Sequence, residues 1–178
     1  VFSSFAFLLI FLPLHIIAYL AVPERFKNPV LLVSSLVFYA WGGPRYVLLI
    51  AFEALASWFF ALRIQSSGGG TTRRVWLIAE LVCLLGLLGY FKYWTWILTS
   101  THNLFGAPSE VPQIVLPIGI SFYTFQLISY VVDVYRGTIE AQPAYWKLLL
   151  YCSLFHQCIA GPIVRYETVA DEIDNRKF

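Results

Sequence analysis

The chain has 178 residues, 59% of them hydrophobic and only 12% charged, with a net charge of +2. Its mean hydropathy is +0.71. A soluble domain, whose composition runs to about 25% charged residues, is excluded; so is a nucleic-acid binder, because Lys and Arg are scattered between apolar blocks and form no basic face.

The first apolar block runs from about Phe5 to Val22. No basic stretch precedes it and no small-residue cleavage site follows, which predicts a retained span and not a signal peptide. PERFKN reads as a turn, and a second span is expected over Pro29 to Trp41. WGGPR, a Gly/Pro turn with an interfacial Trp, joins it to a third span over Tyr46 to Ile64 as a tight helical hairpin. The Gly-rich QSSGGGTTRR is the most flexible composition in the chain, and a fourth span is expected over Val75 to Phe91. KYWTW then has the aromatic composition of an interfacial belt, and the connection from Thr99 to Gln113 carries no Lys or Arg.

The fifth span is LPIGISFYTFQLISYVVDVYRG, from Leu116 to Gly137. Pro117 is expected in its first turn, where a missing N–H costs nothing. At 100° per residue, Gly119, Phe122, Gln126, Ser129, Asp133 and Arg136 share an arc of about 100°. A charge facing lipid near the bilayer centre costs about 2.5–3.5 kcal/mol, so this stripe is expected to face protein or water. Asp133 and Arg136, three residues apart, are spaced to pair near one helix end, while Ser121 and Thr124 lie off the stripe, free to bond back to the helix. The stripe reads either as packing between helices or as the wall of a cavity for a polar group.

A sixth apolar segment, Leu148 to Ala160, is too short to cross: its 13 residues give roughly 20 Å of helix against a core of about 30 Å. It contains His156 and Gln157 and ends at Gly161-Pro162, so a re-entrant or half-buried helix is expected, with protein or a water-filled cavity around it. The tail YETVADEIDNRKF fits a short amphipathic helix on the membrane surface. With the N-terminus outside, Arg25, Lys27, Arg63, Arg73, Arg74, Arg136 and Lys147 fall on the cytoplasmic side, and only Arg45 and Lys92 outside. The expected fold is therefore all-α: about five transmembrane spans plus the half-buried helix. Cys83, Cys152 and Cys158 lie in apolar segments without CxxC spacing. They read as small packing residues, and no metal site is expected.

Four stretches, VFSSFAFLLIFLPL, SSLVFYAWGGPRYVLLI, LGYFKYW and LPIGISFYTFQLISYVVDVYRG followed by IAGPIVRY, carry a resemblance. In order and wording they resemble the membrane-bound O-acyltransferase superfamily, and within it the bacterial branch that O-acetylates exopolysaccharide. The resemblance implies an acyltransferase in the bacterial inner membrane that moves an acetyl group from a cytoplasmic thioester, acetyl-CoA or another, toward an extracytoplasmic polysaccharide. A separate extracytoplasmic acetyltransferase is the implied protein partner, with membrane lipid around the enzyme, no nucleic acid and no bound cofactor. The resemblance further implies that residues 1–178 are the N-terminal portion of a single domain, that the signature catalytic histidine lies beyond residue 178, and that none of His15, His102 and His156 takes that role. It leaves Gln126, Ser129, Asp133, Arg136 and His156 as candidate cavity-lining residues. His156 stands where the family commonly has a Pro before its Ile-Ala-Gly-Pro, adding a titratable ring and removing a kink. Arg136 and Arg165 are placed either to attract an anionic carrier or only to set topology. A transporter or lipid-handling channel, or a non-catalytic scaffold for an extracytoplasmic partner, remains the alternative.

Overall fold

The computed structural model describes residues 5–105, 116–157 and 164–174, and all their regular structure is helical. A π-helical turn, Phe7–Phe11, leads into α1 (Leu12–Ala21). There follow α2 (Glu24–Gly42), α3 (Pro44–Ser66), α4 (Thr71–Phe105), α5 (Ile120–Arg136), α6 (Tyr145–Ser153), a 3-10 turn at Phe155–Gln157, and α7 (Tyr166–Asp174). Among the described residues, α3 and the Thr71–Ser100 part of α4 are each long and apolar enough to cross a membrane, and Phe7–Ala21 is a shorter apolar stretch. Large apolar side chains such as Leu9, Ile17, Leu48, Val82 and Trp96 point outward, as the surface of a membrane protein requires.

The α2–α3 hairpin forms at the predicted glycines. Gly43 takes a positive φ of 143° that a side chain would strain, its N–H donates to the Ala40 carbonyl at 3.0 Å, and Pro44 opens α3. Three boundaries differ from those expected. PERFKN is not a turn: Pro23 precedes the helix and α2 begins at Glu24, with Pro29 inside it. The fourth helix does not stop at Phe91 but runs through KYWTW to Phe105, because no residue there breaks the helical pattern. Pro117 is not in a first turn. Gly119 adopts φ 74° immediately before Ile120, so the helix starts three residues after Pro117. The tail does form a helix, α7, over Tyr166–Asp174. The Ala160-Gly161-Pro162 bend and Cys158 lie outside the described residues.

At the core, α3 packs on α2, α4, α5 and α6. Ala54, Ser57, Ala61 and Ile64, all fully buried, recur at helical spacing; the small side chains of Ala54, Ser57 and Ala61 let neighbouring helices approach closely. The α5–α6 connection is tied down by three hydrogen bonds, two to α3 and one to α5. The Ala141 N–H donates to Gln65 Oε1, the Gln142 N–H to the Tyr130 hydroxyl oxygen at 2.9 Å, and Trp58 Nε1 to the Pro143 carbonyl at 3.1 Å.

α5 ends in a Schellman motif. Gly137 sits at φ 76°, its N–H donates to the Val134 carbonyl at 3.1 Å, and Thr138 N–H reaches the Asp133 carbonyl at 3.0 Å. A Cβ at Gly137 would meet nothing within 4 Å, so substitution there costs only backbone strain. Gly137→Val is expected to destabilise the full-length protein by about 1–2 kcal/mol, with Gly137→Asn milder. Unfolding in detergent checks this; equal stability of the two variants would contradict it.

Candidate functional site

α5 is enclosed by α3, α4, α6 and α7. Its buried residues run from Asp133 through Tyr130, Tyr123 and Leu127 to Thr124, which is roughly half of the helix circumference at 100° per residue. The hydrophilic stripe is one margin of that half. Gln126 is 3% exposed and Asp133 5%, both covered by protein, whereas Ser129 is half-buried and Arg136 exposed. The expected Asp133–Arg136 ion pair is not formed among the described residues, because Asp133 turns inward and Arg136 outward at the helix end. Part of the apolar flank of α5 is buried as well: Leu127, Val131 and Val134 pack in the core, while Phe125 is exposed.

Across α5 from the stripe lies a second polar group that the stripe does not reveal. Thr124 does not bond back to its own helix; its hydroxyl donates to Glu53 Oε2 on α3 at 2.9 Å. One turn along α3, the Ser57 hydroxyl donates to Glu80 Oε1 on α4 at 2.5 Å. Glu53, Ser57, Glu80 and Thr124 are all fully buried. Glu53 Oε1 and Glu80 Oε2 have no hydrogen-bond partner among the described residues. The sequence signal for this cluster is a lone Glu in each of two apolar runs, YVLLIAFEALASWFFALRI and VWLIAELVCLLGLLGYF. An ionisable residue inside a span is a functional candidate on that ground alone.

His156 belongs to a third place. It lines a cavity of about 550 Å3 with His15, between α1, α2, α6 and α7, and the two imidazole centroids are 5.5 Å apart. None of Gln126, Ser129, Asp133 and Arg136 lines this cavity. Phe155 holds both imidazoles, edge-on to His15 at 5.2 Å and stacked on His156 at 3.8 Å. α7 closes one side with Val169 and Ile173, and is itself held by Asn28 Nδ2 donating to the Ile173 carbonyl at 2.8 Å. Among the described residues no group of three His, Cys, Asp or Glu is placed to hold a metal ion.

One end of the bundle carries three arginines, Arg63, Arg73 and Arg136. Arg73 Nη2, at the start of α4, donates to the Val134 carbonyl at the end of α5, 3.0 Å away. Arg63 lies in the last turn of α3 and Arg136 in that of α5. Antiparallel packing thus brings together cations that are far apart in sequence.

Known proteins match the chain along almost its full length. It is 40% identical over 181 residues to the probable alginate O-acetylase AlgI of Pseudomonas aeruginosa, covering 99% of this chain and 35% of that protein. To the protein of the same name in Azotobacter vinelandii it is 39% identical, covering 99% of this chain and 36% of that one. A peptidoglycan O-acetyltransferase of Helicobacter pylori is 29% identical over 204 residues, covering 98% of this chain and 39% of that one. The chain spans about a third of the length of the curated relatives it matches. No family model matches it. No solved structure matches it. Along almost its whole length the chain is thus similar to bacterial proteins named for O-acetylation.

Proposed function

We propose that the protein containing this chain is a membrane-bound O-acyltransferase that passes an acetyl group from a cytoplasmic thioester toward an extracytoplasmic polysaccharide. In the reaction the acetyl C–S bond breaks and a C–O bond forms. The acceptor hydroxyl loses its proton to a general base, and the thiolate leaving group takes one up. The base belongs to the remaining two thirds of such a protein, and no histidine of this chain is assigned that role. The helices described here supply wall and scaffold. In this reading the α5 edge with Gln126, Ser129, Asp133 and Arg136 contributes to the wall of the passage, while His156 lines the separate cavity between α1, α2, α6 and α7. The basic end of the bundle, with Arg63, Arg73 and Arg136, faces the cytoplasm by the positive-inside rule and attracts an anionic thioester carrier. The N-terminus is then extracytoplasmic, the membrane is the inner membrane, and a separate extracytoplasmic acetyltransferase finishes the transfer.

The observation that carries this reading is the 40% identity to an alginate O-acetylase over 99% of the chain. The test is deletion of the full-length gene in its host, followed by measurement of ester-linked acetate on surface and secreted polysaccharide. The expected result is loss of polysaccharide O-acetylation, restored by the wild-type gene. Unchanged acetate on every polysaccharide would contradict the reading.

A further inference from the structure

We propose that the cavity shared by α1, α2, α6 and α7 binds the acyl chain of a bilayer lipid, with the ester end of that chain hydrogen-bonded at the His15–His156 pair. Its volume of about 550 Å3 falls within the range of about 300–1,000 Å3 typical of small-molecule sites. Apart from the two imidazoles and Tyr19 the lining is aliphatic, including Leu12, Ile16, Leu150 and Leu154. One feature of the wall asks for a polar ligand atom. His15 is only 7% exposed, yet its Nδ1 has no hydrogen-bond partner among the described residues. A buried polar nitrogen left unpaired is costly. Water is a poor remedy in an aliphatic cavity, where it finds too few partners of its own. An ester carbonyl accepts from His15 in its Nδ1–H tautomer while the attached hydrocarbon fills the rest of the space.

The position of the mouth identifies the source. Ile16 and Leu20 line the cavity and are also 47% and 72% exposed. They adjoin Leu14 and Ile17, which are outward-facing on the same short apolar helix. At the depth of a membrane span the medium outside such a mouth is acyl chain. This site is separate from the α5 stripe, and its occupancy does not depend on acetyl transfer.

The test uses the full-length protein in nanodiscs of phosphatidylglycerol and phosphatidylethanolamine. A trace of phosphatidylglycerol carries a diazirine in its acyl chain, and adducts are mapped by peptide mass spectrometry after irradiation. Adducts are expected at Leu12, Ile16, Leu150 and Leu154. Ile16→Trp, which fills the cavity, abolishes those on Leu150 and Leu154. His15→Leu keeps the cavity apolar but removes the donor, so cavity labelling falls roughly two- to tenfold, the equivalent of one hydrogen bond. An ether-linked probe, which has no carbonyl, labels the wild type at that lower level and is indifferent to His15→Leu; this comparison stands even if Ile16→Trp fails to fold. Adducts confined to Leu14 and Ile17, outside the cavity, or ester and ether probes behaving alike, would overturn the proposal. So would an unlabelled cavity, the result expected if another segment of the protein fills it.

Discussion

Tyr130→Ala is expected to destabilise the full-length protein by about 3–5 kcal/mol, the usual cost of deleting a buried aromatic side chain. Tyr130 is fully buried at the middle of the enclosed face of α5. Its ring meets Tyr166 of α7 edge-on at 5.1 Å, and Tyr166 in turn meets Tyr151 of α6 at 5.2 Å and 89°. The three hydroxyls tie the same region together. Tyr130 accepts from the Gln142 N–H, Gln142 Nε2 donates to Tyr166 Oη at 2.7 Å, and Tyr151 donates to the Val164 carbonyl at 2.6 Å. Removing one ring therefore opens a void in the cluster of Tyr130, Tyr166 and Tyr151, where α5 meets α6 and α7. Tyr130→Phe keeps the packing and leaves only the Gln142 N–H without its acceptor, so about 1–3 kcal/mol is expected. Denaturant unfolding in detergent separates the two variants. A Tyr130→Ala protein within 1 kcal/mol of wild type would show that α6 and α7 do not depend on this face, against the range expected for an aromatic deletion.

The second large effect belongs to Glu53. Glu53→Ala leaves the Thr124 hydroxyl without its acceptor and a cavity at the junction of α3, α4 and α5. A loss of about 2–4 kcal/mol is expected from the two causes together. Glu53→Gln keeps an oxygen where Thr124 donates and is expected to be much milder. Combining Glu53→Ala with Thr124→Val tests the contact itself, since the double variant should fall short of the sum of the singles by about 0.5–3 kcal/mol. Additive losses would mean that Glu53 and Thr124 do not act as a pair. Glu80 and Ser57 form the same kind of link between α3 and α4, so Glu80→Ala should resemble Glu53→Ala and leave the Thr124 contact intact.

Much of this arrangement is legible in the sequence, for definite physical reasons. Gly43 and Pro44 punctuate the α2–α3 hairpin because no other residue pair so readily adopts that positive φ and then starts a helix. The inward turn of Gln126 and Asp133 follows from their cost against lipid. Helix ends were less legible. Nothing local distinguishes an interfacial KYWTW from continuing helix, and α4 runs through it to Phe105. The start of α5 depended on Gly119, which the stripe geometry had counted as helical. Periodicity along α5 also understated its buried face, since a helix surrounded by other helices buries apolar and polar flanks alike. The Glu53–Thr124 and Ser57–Glu80 contacts join residues 71 and 23 positions apart. The individual glutamates stand out within their apolar runs, but their partners depend on how three helices are rotated. His15 and His156 likewise meet only once the Phe155–Gln157 turn comes to lie against α1.

All of this depends on α5 turning the Gln126–Asp133 edge toward protein, with lipid kept to Phe125 and its neighbours. Spin labels at Gln126→Cys, Asp133→Cys and Phe125→Cys of the full-length protein in nanodiscs test that orientation through their collision rates with oxygen, which concentrates in acyl chains. The label at Phe125, 41% exposed, should collide freely, while those at 126 and 133 should be shielded and immobilised. Equal oxygen collision at all three positions would place the polar edge in the bilayer and contradict the arrangement of the bundle described here.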